Sequence, residues 1–192
     1  YSENNNDPYG IYFKVEHNNN CLPVKIIGTL GANNIYAALA AISVGIALNL
    51  NLVEATENLQ NYISPRGRMN LIKGIKGSTI IDDTYNSSPV AVTSALNTLK
   101  DLKIVSGRKI AILGDMMELG KHTVEAHEAA GIFAASVCNI LVTVGLRSRS
   151  LAESAIDNGL SEKNVLQFDN SVEAAKIVKD LIQDGDIVLV KG

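Results

Sequence analysis

Two neighbouring carboxylates, Asp82 and Asp83, follow a short apolar run and precede a Tyr-Asn pair and the start of a helix. Polar groups at the carboxyl end of a buried strand, ahead of a helix N-terminus, are where open α/β sheets bind ligands. A purely structural interpretation is also open, in which the carboxylates end the strand and Ser88 caps a helix whose first residue is Pro89. This stretch therefore predicts either a ligand site or a helix start.

A second polar stretch, residues 114–121, lies between a predicted strand and a predicted helix and ends in Gly-Lys like a phosphate loop. Five residues separate its glycines instead of the four of a P-loop, and His122 stands where a Ser or Thr would hold magnesium. Its carboxylates, Asp115 and Glu118, would also repel a triphosphate. The stretch is therefore not a P-loop, and no other candidate is present in the sequence.

A phosphoacceptor receiver domain is a second alternative, because the acidic pair, Asp115, Thr143 and Lys191 supply the residue types of its site. The order of the strands argues against it, since a receiver has a further strand between the acidic pair and the acceptor aspartate. The three histidines and two cysteines have no metal-ligand spacing. We therefore predict no metal ligand in this chain.

The composition excludes several classes of protein. The chain has 192 residues, 46% of them apolar, and a net charge of −3, which argues against a nucleic-acid surface. No apolar run reaches the roughly 18 residues of a membrane span. Two isolated thiols suit a reducing compartment. Because the sequence opens without a methionine and stops directly after an apolar strand, we expect a fragment of a longer protein.

The first third of the chain predicts a hairpin and two helices. Residues 11–15 and 24–27 are strand-like, residues 35–46 predict a well-buried helix with an asparagine cap, and residues 53–62 predict a second helix. The stretch Ser64-Pro65-Arg66-Gly67-Arg68 interrupts the pattern. It predicts a domain boundary.

After this boundary, strands and helices alternate. The predicted strands are 69–73, 78–81, 109–113, 140–144, 165–168 and 187–190, and the predicted helices are 89–102, 124–135, 147–157 and one begun by Asn170 or Ser171. Short apolar strands that alternate with helices of ten or more residues favour a mainly parallel sheet covered on both faces. We therefore predict an α/β, Rossmann-like domain.

Several stretches of the sequence resemble the Mur ligase family, over nearly the whole chain. They are Gly31-Ala32-Asn33-Asn34-Ile35-Tyr36-Ala37-Ala38-Leu39-Ala40-Ala41, Arg66-Gly67-Arg68, Asp82-Asp83-Thr84-Tyr85-Asn86-Ser87-Ser88-Pro89, Ile112-Leu113-Gly114-Asp115-Met116-Met117-Glu118-Leu119-Gly120 with His127 downstream, and Val188-Leu189-Val190-Lys191-Gly192. The two stretches that begin at Asp82 and Ile112 are similar to those of the family members that use D-Ala-D-Ala as the amino substrate.

The resemblance implies an ATP-dependent amide ligase of cytoplasmic peptidoglycan precursor synthesis, which adds D-Ala-D-Ala to UDP-MurNAc-tripeptide through an acyl phosphate. Residues 1–64 would be the C-terminal part of the central ATP-binding domain, and residues 65–192 the C-terminal Rossmann-like domain. ATP and Mg²⁺ are the implied cofactors, with the P-loop and the magnesium ligands mainly upstream, so the fragment alone would be inactive. We expect a monomer that binds these small molecules and no nucleic acid.

The resemblance also implies roles for single residues, none of them catalytic and none a metal ligand. Arg68 would reach the ATP phosphates, Asp83 would accept from the ribose hydroxyls, and Asn33 and Asn34 lie where the family contacts adenine. The implied substrate-binding residues are Tyr85, Asn86, Asp115, Glu118 and Lys191.

The sequence departs from the family pattern at two positions. Asn33 and Ala37 stand where the family usually has His and Asn. An asparagine amide can pair with the amino edge of adenine, so Asn33 or Asn34 could replace that contact. Two alternatives remain open: a Mur-type ligase with another amino substrate, and a non-catalytic binding domain of the same fold.

Overall fold

The computed structural model describes residues 2–3, 10–104 and 106–192, and residues 1, 4–9 and 105 lie outside this description. Its strands are β1 (Ser2–Glu3), β2 (Gly10–His17), β3 (Asn20–Ile27), β4 (Asn70–Lys73), β5 (Thr79–Asp83), β6 (Lys109–Gly114), β7 (Ile140–Val144), β8 (Val165–Phe168) and β9 (Ile187–Lys191). Its α-helices are α1 (Asn33–Ala47), α2 (Leu52–Glu57), α3 (Pro89–Asp101), α4 (Thr123–Ala135), α5 (Arg149–Asp157) and α6 (Ser171–Leu181). Short 3₁₀ turns occupy Asn58–Asn61, Ile75–Gly77, Gly120–His122 and Glu162–Asn164.

The N-terminal part of the described chain is an antiparallel sheet, β1-β2-β3, with α1 and α2 packed against it. The predicted hairpin is confirmed: β2 pairs with β3 across Asn18 and Asn19, whose φ angles are 50° and 64°. Asparagine tolerates this left-handed conformation better than most residues, which suits it to a tight turn. β2 buries alternate residues, Ile11, Phe13 and Val15, under the helices. This sheet and its two helices therefore share one apolar cluster.

Helix α1 differs from its prediction in two respects. It begins after Ala32, whose methyl side chain cannot accept a hydrogen bond, so the helix has no side-chain cap. The Asn34 side chain donates to Thr29 Oγ1 (2.9 Å) and to the Leu30 carbonyl (2.7 Å). Only Ala38 and Ile42 of the helix are buried, so the predicted well-buried helix is wrong. The predicted second helix is present but shorter, since α2 ends at Glu57 and a 3₁₀ turn follows.

The C-terminal part is built on a sheet with the strand order β4-β5-β9-β6-β7-β8 among the described strands. β4 is antiparallel to β5, and all the other pairs are parallel. The predicted α/β class with a mainly parallel sheet is confirmed. The predicted boundary between residues 64 and 65 falls in the loop between Asn58–Asn61 and β4.

Apolar residues cover both faces of this sheet. Neighbours along one strand, such as Val188 and Leu189, belong to different clusters, because successive side chains point to opposite faces. One cluster contains residues of α3, α4 and α5, and the other contains residues of α6. Helices α4 and α5 approach so closely that a Cβ on Gly131 would lie 2.2 Å from the Leu151 carbonyl oxygen. In the described residues, no helix is both long enough and apolar enough to cross a membrane.

The amino ends of β6 and β9 are joined by a buried ion pair. The guanidinium of Arg108 lies 2.7 Å from Oδ2 of Asp186, which is fully buried and also accepts from the backbone N–H groups of Arg108 and Gln183. Burial alone would raise the pKa of Asp186, but these hydrogen bonds outweigh it and the pKa lies below its ordinary value. This pair is at the end of the sheet opposite to the polar residues that the sequence singled out.

Candidate functional site

A cavity of about 300 Å³ lies between the start of α1 and the carboxyl ends of β5 and β9. Six of the predicted site residues line it: Asn33, Asn34, Arg68, Asp83, Asn86 and Lys191. The fold brings them together because β5 and β9 are parallel neighbours whose carboxyl ends meet, and because residues 28–30 run along β4 and place α1 above that edge. The cavity therefore collects residues from both parts of the chain.

The deepest charged group of the cavity is the ammonium of Lys191. Its Nζ lies 2.8 Å from Oδ2 of Asp83, and the exposed fractions of the two side chains are 3% and 13%. The same Nζ also donates to the backbone carbonyls of Asp83 and Asn86. Lys191 is therefore already paired within the protein. Its predicted substrate contact and the predicted ribose contact of Asp83 would both need groups that this ion pair uses.

Both carboxylates of the acidic pair hold the segment between the two parts of the chain. Asp82 Oδ2 accepts from the N–H of Gly67 (2.8 Å), and Asp83 Oδ1 accepts from the N–H of Met69 (3.2 Å). Residue 67 has a φ of 73°, which favours glycine. At the same time Ser88 Oγ caps α3 by accepting from the N–H of Ala91, and Pro89 is the first residue of α3, so the predicted helix start is confirmed. Because Asp83, Asn86 and Ser88 also line the cavity, this helix start does not exclude the predicted ligand site.

The side chains of Arg68 and Tyr85 contact each other. The guanidinium carbon of Arg68 lies 3.8 Å from the centroid of the Tyr85 ring, which is cation–π geometry. Arg68 lines the cavity, whereas Tyr85 does not, and 68% of Tyr85 is exposed. The predicted substrate-binding role of Tyr85 stays a prediction.

Asp115 and Glu118 do not line the cavity and lie beyond the carboxyl end of β6. Asp115 Oδ1 accepts from the N–H of Ser148 (2.8 Å), and its Oδ2 lies 3.5 Å from Nη1 of Arg147. Glu118 is exposed, in a left-handed conformation with φ of 62°. Their predicted contacts with the amino substrate remain predictions, and they would form a second polar group beside the cavity.

Sequence reasoning missed Arg147 and Ser148 as partners of Asp115. Both follow the carboxyl end of β7, directly after Gly145-Leu146. Gly145 has a φ of 113°, and a Cβ on it would lie 2.4 Å from Asp115 Oδ1. The available signal was a glycine shortly before Arg147 and Ser148, just after a buried strand, since β6 and β7 pair in parallel and end together.

His127 of the resembling stretch is a buried structural residue. Its Nε2 accepts from the N–H of Met116 (3.0 Å), and its Nδ1 lies 2.7 Å from the Thr123 carbonyl oxygen, to which it donates. His127 is fully buried, and both of its ring nitrogens have partners within the protein. His127 fixes the start of the loop that carries Asp115 and Glu118.

Nothing in the described part of the chain brings together three or more His, Cys, Asp or Glu residues in a way that could hold a metal ion. The ligands of the predicted Mg²⁺ are expected mainly upstream of these residues. The groups of this site that remain available to a ligand are organic cations, amides and hydroxyls, which suit phosphate, ribose and base contacts.

A sequence profile described as "Mur ligase, glutamate ligase domain" matches residues 67–192. Among curated proteins, the chain is 28% identical over 183 residues to the UDP-N-acetylmuramoyl-tripeptide–D-alanyl-D-alanine ligase of Bacillus subtilis, with 95% of this chain and 39% of the relative covered. It is 30% identical over 183 residues to the protein of the same name from Buchnera aphidicola, with 94% of this chain and 37% of the relative covered. The chain thus spans about two fifths of the length of these relatives.

Solved structures agree with these similarities. A crystal structure of MurF from Acinetobacter baumannii matches with a TM-score of 0.81 and 27% identity, covering 96% of this chain and 40% of that one. The MurF ligase of Thermotoga maritima, solved in complex with ADP, matches with a TM-score of 0.75 and 26% identity, covering 95% and 40%. Both likenesses extend over the two parts of the chain described above.

Proposed function

This chain belongs to the Mur ligase family, and we propose that it is the C-terminal portion of an ATP-dependent ligase that joins D-Ala-D-Ala to UDP-MurNAc-tripeptide. Residues 1–64 would complete the ATP-binding domain and residues 65–192 would form the C-terminal domain. The observation that carries the proposal is the cavity that gathers Asn33, Arg68 and Lys191 from both parts of the chain. The relatives named for this activity and the ADP complex of one of them support it.

In the proposed reaction, ATP phosphorylates the terminal carboxylate of the nucleotide-linked tripeptide, and the amine of D-Ala-D-Ala displaces phosphate from the acyl phosphate. This cytoplasmic reaction would use ATP with Mg²⁺. This chain would contribute positioning and charge neutralisation. Arg68 is the group best placed to neutralise phosphate charge, because its guanidinium lies at the cavity and presents a planar set of N–H donors.

The amino substrate would bind at the second polar group, beside Asp115. A carboxylate can accept from the ammonium of the dipeptide, and Arg147, 3.5 Å from Asp115, can pair with the dipeptide carboxylate. Both charges of a zwitterionic dipeptide would then have a partner at the carboxyl end of the sheet. Asp115→Asn is expected to raise the KM for the dipeptide more than the KM for ATP.

The experiment that tests the proposal measures ADP release by the full-length gene product with ATP, Mg²⁺ and UDP-MurNAc-tripeptide, with and without D-Ala-D-Ala. Release that depends on the dipeptide supports the proposal. ADP release that depends on another amine would support a Mur-type ligase with a different amino substrate. No ADP release from a folded protein would favour the non-catalytic binding domain.

A matched pair of variants ties the activity to this site. Arg68→Ala is expected to lower kcat/KM for ATP by roughly a hundredfold to a thousandfold, as when one transition-state hydrogen-bond donor is removed. Arg66→Ala removes a neighbouring exposed arginine that does not line the cavity. It is expected to leave kcat/KM unchanged. Equal losses in the two variants would contradict a specific role for Arg68.

A further inference from the structure

The side chain of Arg68 is held by an aromatic ring. Its backbone is fixed on both sides, because its N–H donates to the Pro65 carbonyl and its own carbonyl accepts from Ser64 Oγ (2.8 Å). Its guanidinium, however, makes neither a hydrogen bond nor an ion pair with any residue in the described ranges. The contact that orients it is the ring of Tyr85, 3.8 Å from the guanidinium carbon.

The backbone places this ring in position. The N–H of Tyr85 donates to the carbonyl of Gly67 (3.1 Å), and a Cβ on Gly67 would lie only 2.8 Å from the Tyr85 nitrogen. The two chain segments therefore touch at residues 67 and 85, and this close approach depends on a glycine with a φ of 73°. Because Arg68 directly follows Gly67, its side chain comes to lie over the ring of Tyr85.

The side chain of Arg68 lines the cavity, and within the described ranges its guanidinium N–H groups are free to donate hydrogen bonds to a ligand. Lys191, the other cation that lines the cavity, is bound to Asp83 and to two backbone carbonyls. Stacking occupies one face of a guanidinium and leaves the N–H groups along its edge available, in a planar arrangement that matches phosphate oxygens. Tyr85 itself does not line the cavity, so its influence on a ligand there has to pass through Arg68.

We propose that Tyr85 is a positioning residue, which stacks on Arg68 and orients its guanidinium toward the phosphates of the nucleotide, and that it contacts neither adenine nor the amino substrate. The inference rests on the proposed function, since ATP is the ligand. Stacking restricts the rotamers of a long side chain before the ligand arrives, which lowers the entropic cost of binding. A cation–π contact at an exposed site corresponds to about a two- to fivefold change in affinity.

The test is calorimetric titration of the full-length gene product with ATP and, separately, with adenosine. Tyr85→Leu is expected to weaken ATP binding about two- to fivefold and to leave adenosine binding unchanged, whereas Tyr85→Phe retains the ring and is expected to bind both ligands like the wild type. Tyr85→Trp tests the opposite direction, because indole is the best cation–π partner, and is expected to bind ATP at least as tightly as the wild type.

A double-mutant cycle separates positioning from direct contact. In an Arg68→Met background, Tyr85→Leu is expected to have no further effect on ATP binding, because its target is gone. Additive losses of ATP affinity in the double mutant would overturn the inference. Equal losses of affinity for ATP and for adenosine in Tyr85→Leu would also overturn it. A wild-type protein that binds neither ligand would instead contradict the proposed function itself, and the inference with it.

Discussion

The Nζ of Lys191 lies 2.8 Å from the carboxylate of Asp83, and the same carboxylate accepts from the backbone N–H of Met69. One buried ion pair thereby connects the last described strand, the acidic pair and the segment that joins the two parts of the chain. Asp83 and Lys191 therefore line the cavity, and Asp83 also holds the segment that joins the two parts of the chain.

Removal of Lys191 is expected to destabilise the protein strongly. Lys191→Met would leave Asp83 as a buried carboxylate without its cation, which costs on the order of 3–5 kcal/mol of the free energy of unfolding. Urea unfolding followed by circular dichroism measures this change. The control is Lys176→Met on the exposed face of α6, for which a change within about 0.5 kcal/mol is expected. Equal stability of the two variants would show that the pair contributes nothing.

The ion pair of Arg108 and Asp186 is expected to make stability depend on acid pH. The pKa of Asp186 lies below its ordinary value because the hydrogen bonds from Arg108 and the backbone outweigh the effect of burial. The carboxylate therefore stabilises the fold above about pH 4, the ordinary value of an aspartate, and this contribution disappears as the pH falls through the lower pKa of the folded state.

Asp186→Asn is accordingly expected to lower the free energy of unfolding by about 2 kcal/mol at pH 7, and by progressively less below pH 4. Urea titrations at pH 7, 5, 4 and 3 measure the difference. Asp169→Asn breaks an exposed pair with Arg149 and serves as the control with little effect at any pH. A difference for Asp186→Asn that stays constant from pH 7 to pH 3 would contradict the prediction.

His127 is expected to be needed for folding stability. His127→Leu would leave the buried N–H of Met116 without an acceptor, at a cost of about 1–3 kcal/mol. His122→Leu changes an exposed histidine five positions earlier, so a change within about 0.5 kcal/mol is expected. Thermal unfolding of both variants provides the comparison, and a His127→Leu protein as stable as His122→Leu would exclude this role.

The two cysteines are expected to differ in reactivity. Cys21 is exposed, whereas Cys138 is buried, and burial raises the pKa of its thiol to about 12, so it carries almost no thiolate at pH 8. Iodoacetamide at pH 8 should label Cys21 and not Cys138 in the native protein, and both positions in the urea-unfolded protein. Peptide mass spectrometry locates the labels at these two positions. Rapid native labelling of Cys138 would contradict its burial.

Local signals in the sequence predicted much of this fold. The apolar runs identified the strands of the parallel sheet, and Ser88 was recognised as the cap of α3. The start of α6 was narrowed to Asn170 or Ser171, of which Asn170 is the cap. The environment of α1 was not predictable in the same way. Apolar residues at helical spacing suggested a well-buried helix, but in the described chain only Ala38 and Ile42 of α1 are buried.

The sequence indicated which residues lie at the candidate site, but not which groups they contact. The family resemblance named Asp83 and Lys191 as site residues, and both line one cavity because β5 and β9 are parallel neighbours whose carboxyl ends meet. The partners of the carboxylates depend on the tertiary fold: Asp82 binds the N–H of Gly67 across 15 positions, and Asp115 binds that of Ser148 across 33. No local pattern encodes such pairs.

The central position of β9 determines when this sheet can form during translation. β9 comes after every other described strand, yet it lies between β5 and β6 and pairs with both. Until it leaves the ribosome, the nascent chain holds two half-sheets, each with an open apolar edge that is free to pair with another chain. Polypeptides that end before residue 187 are therefore expected to aggregate, and the ribosome must finish nearly the whole segment before its first strands are protected.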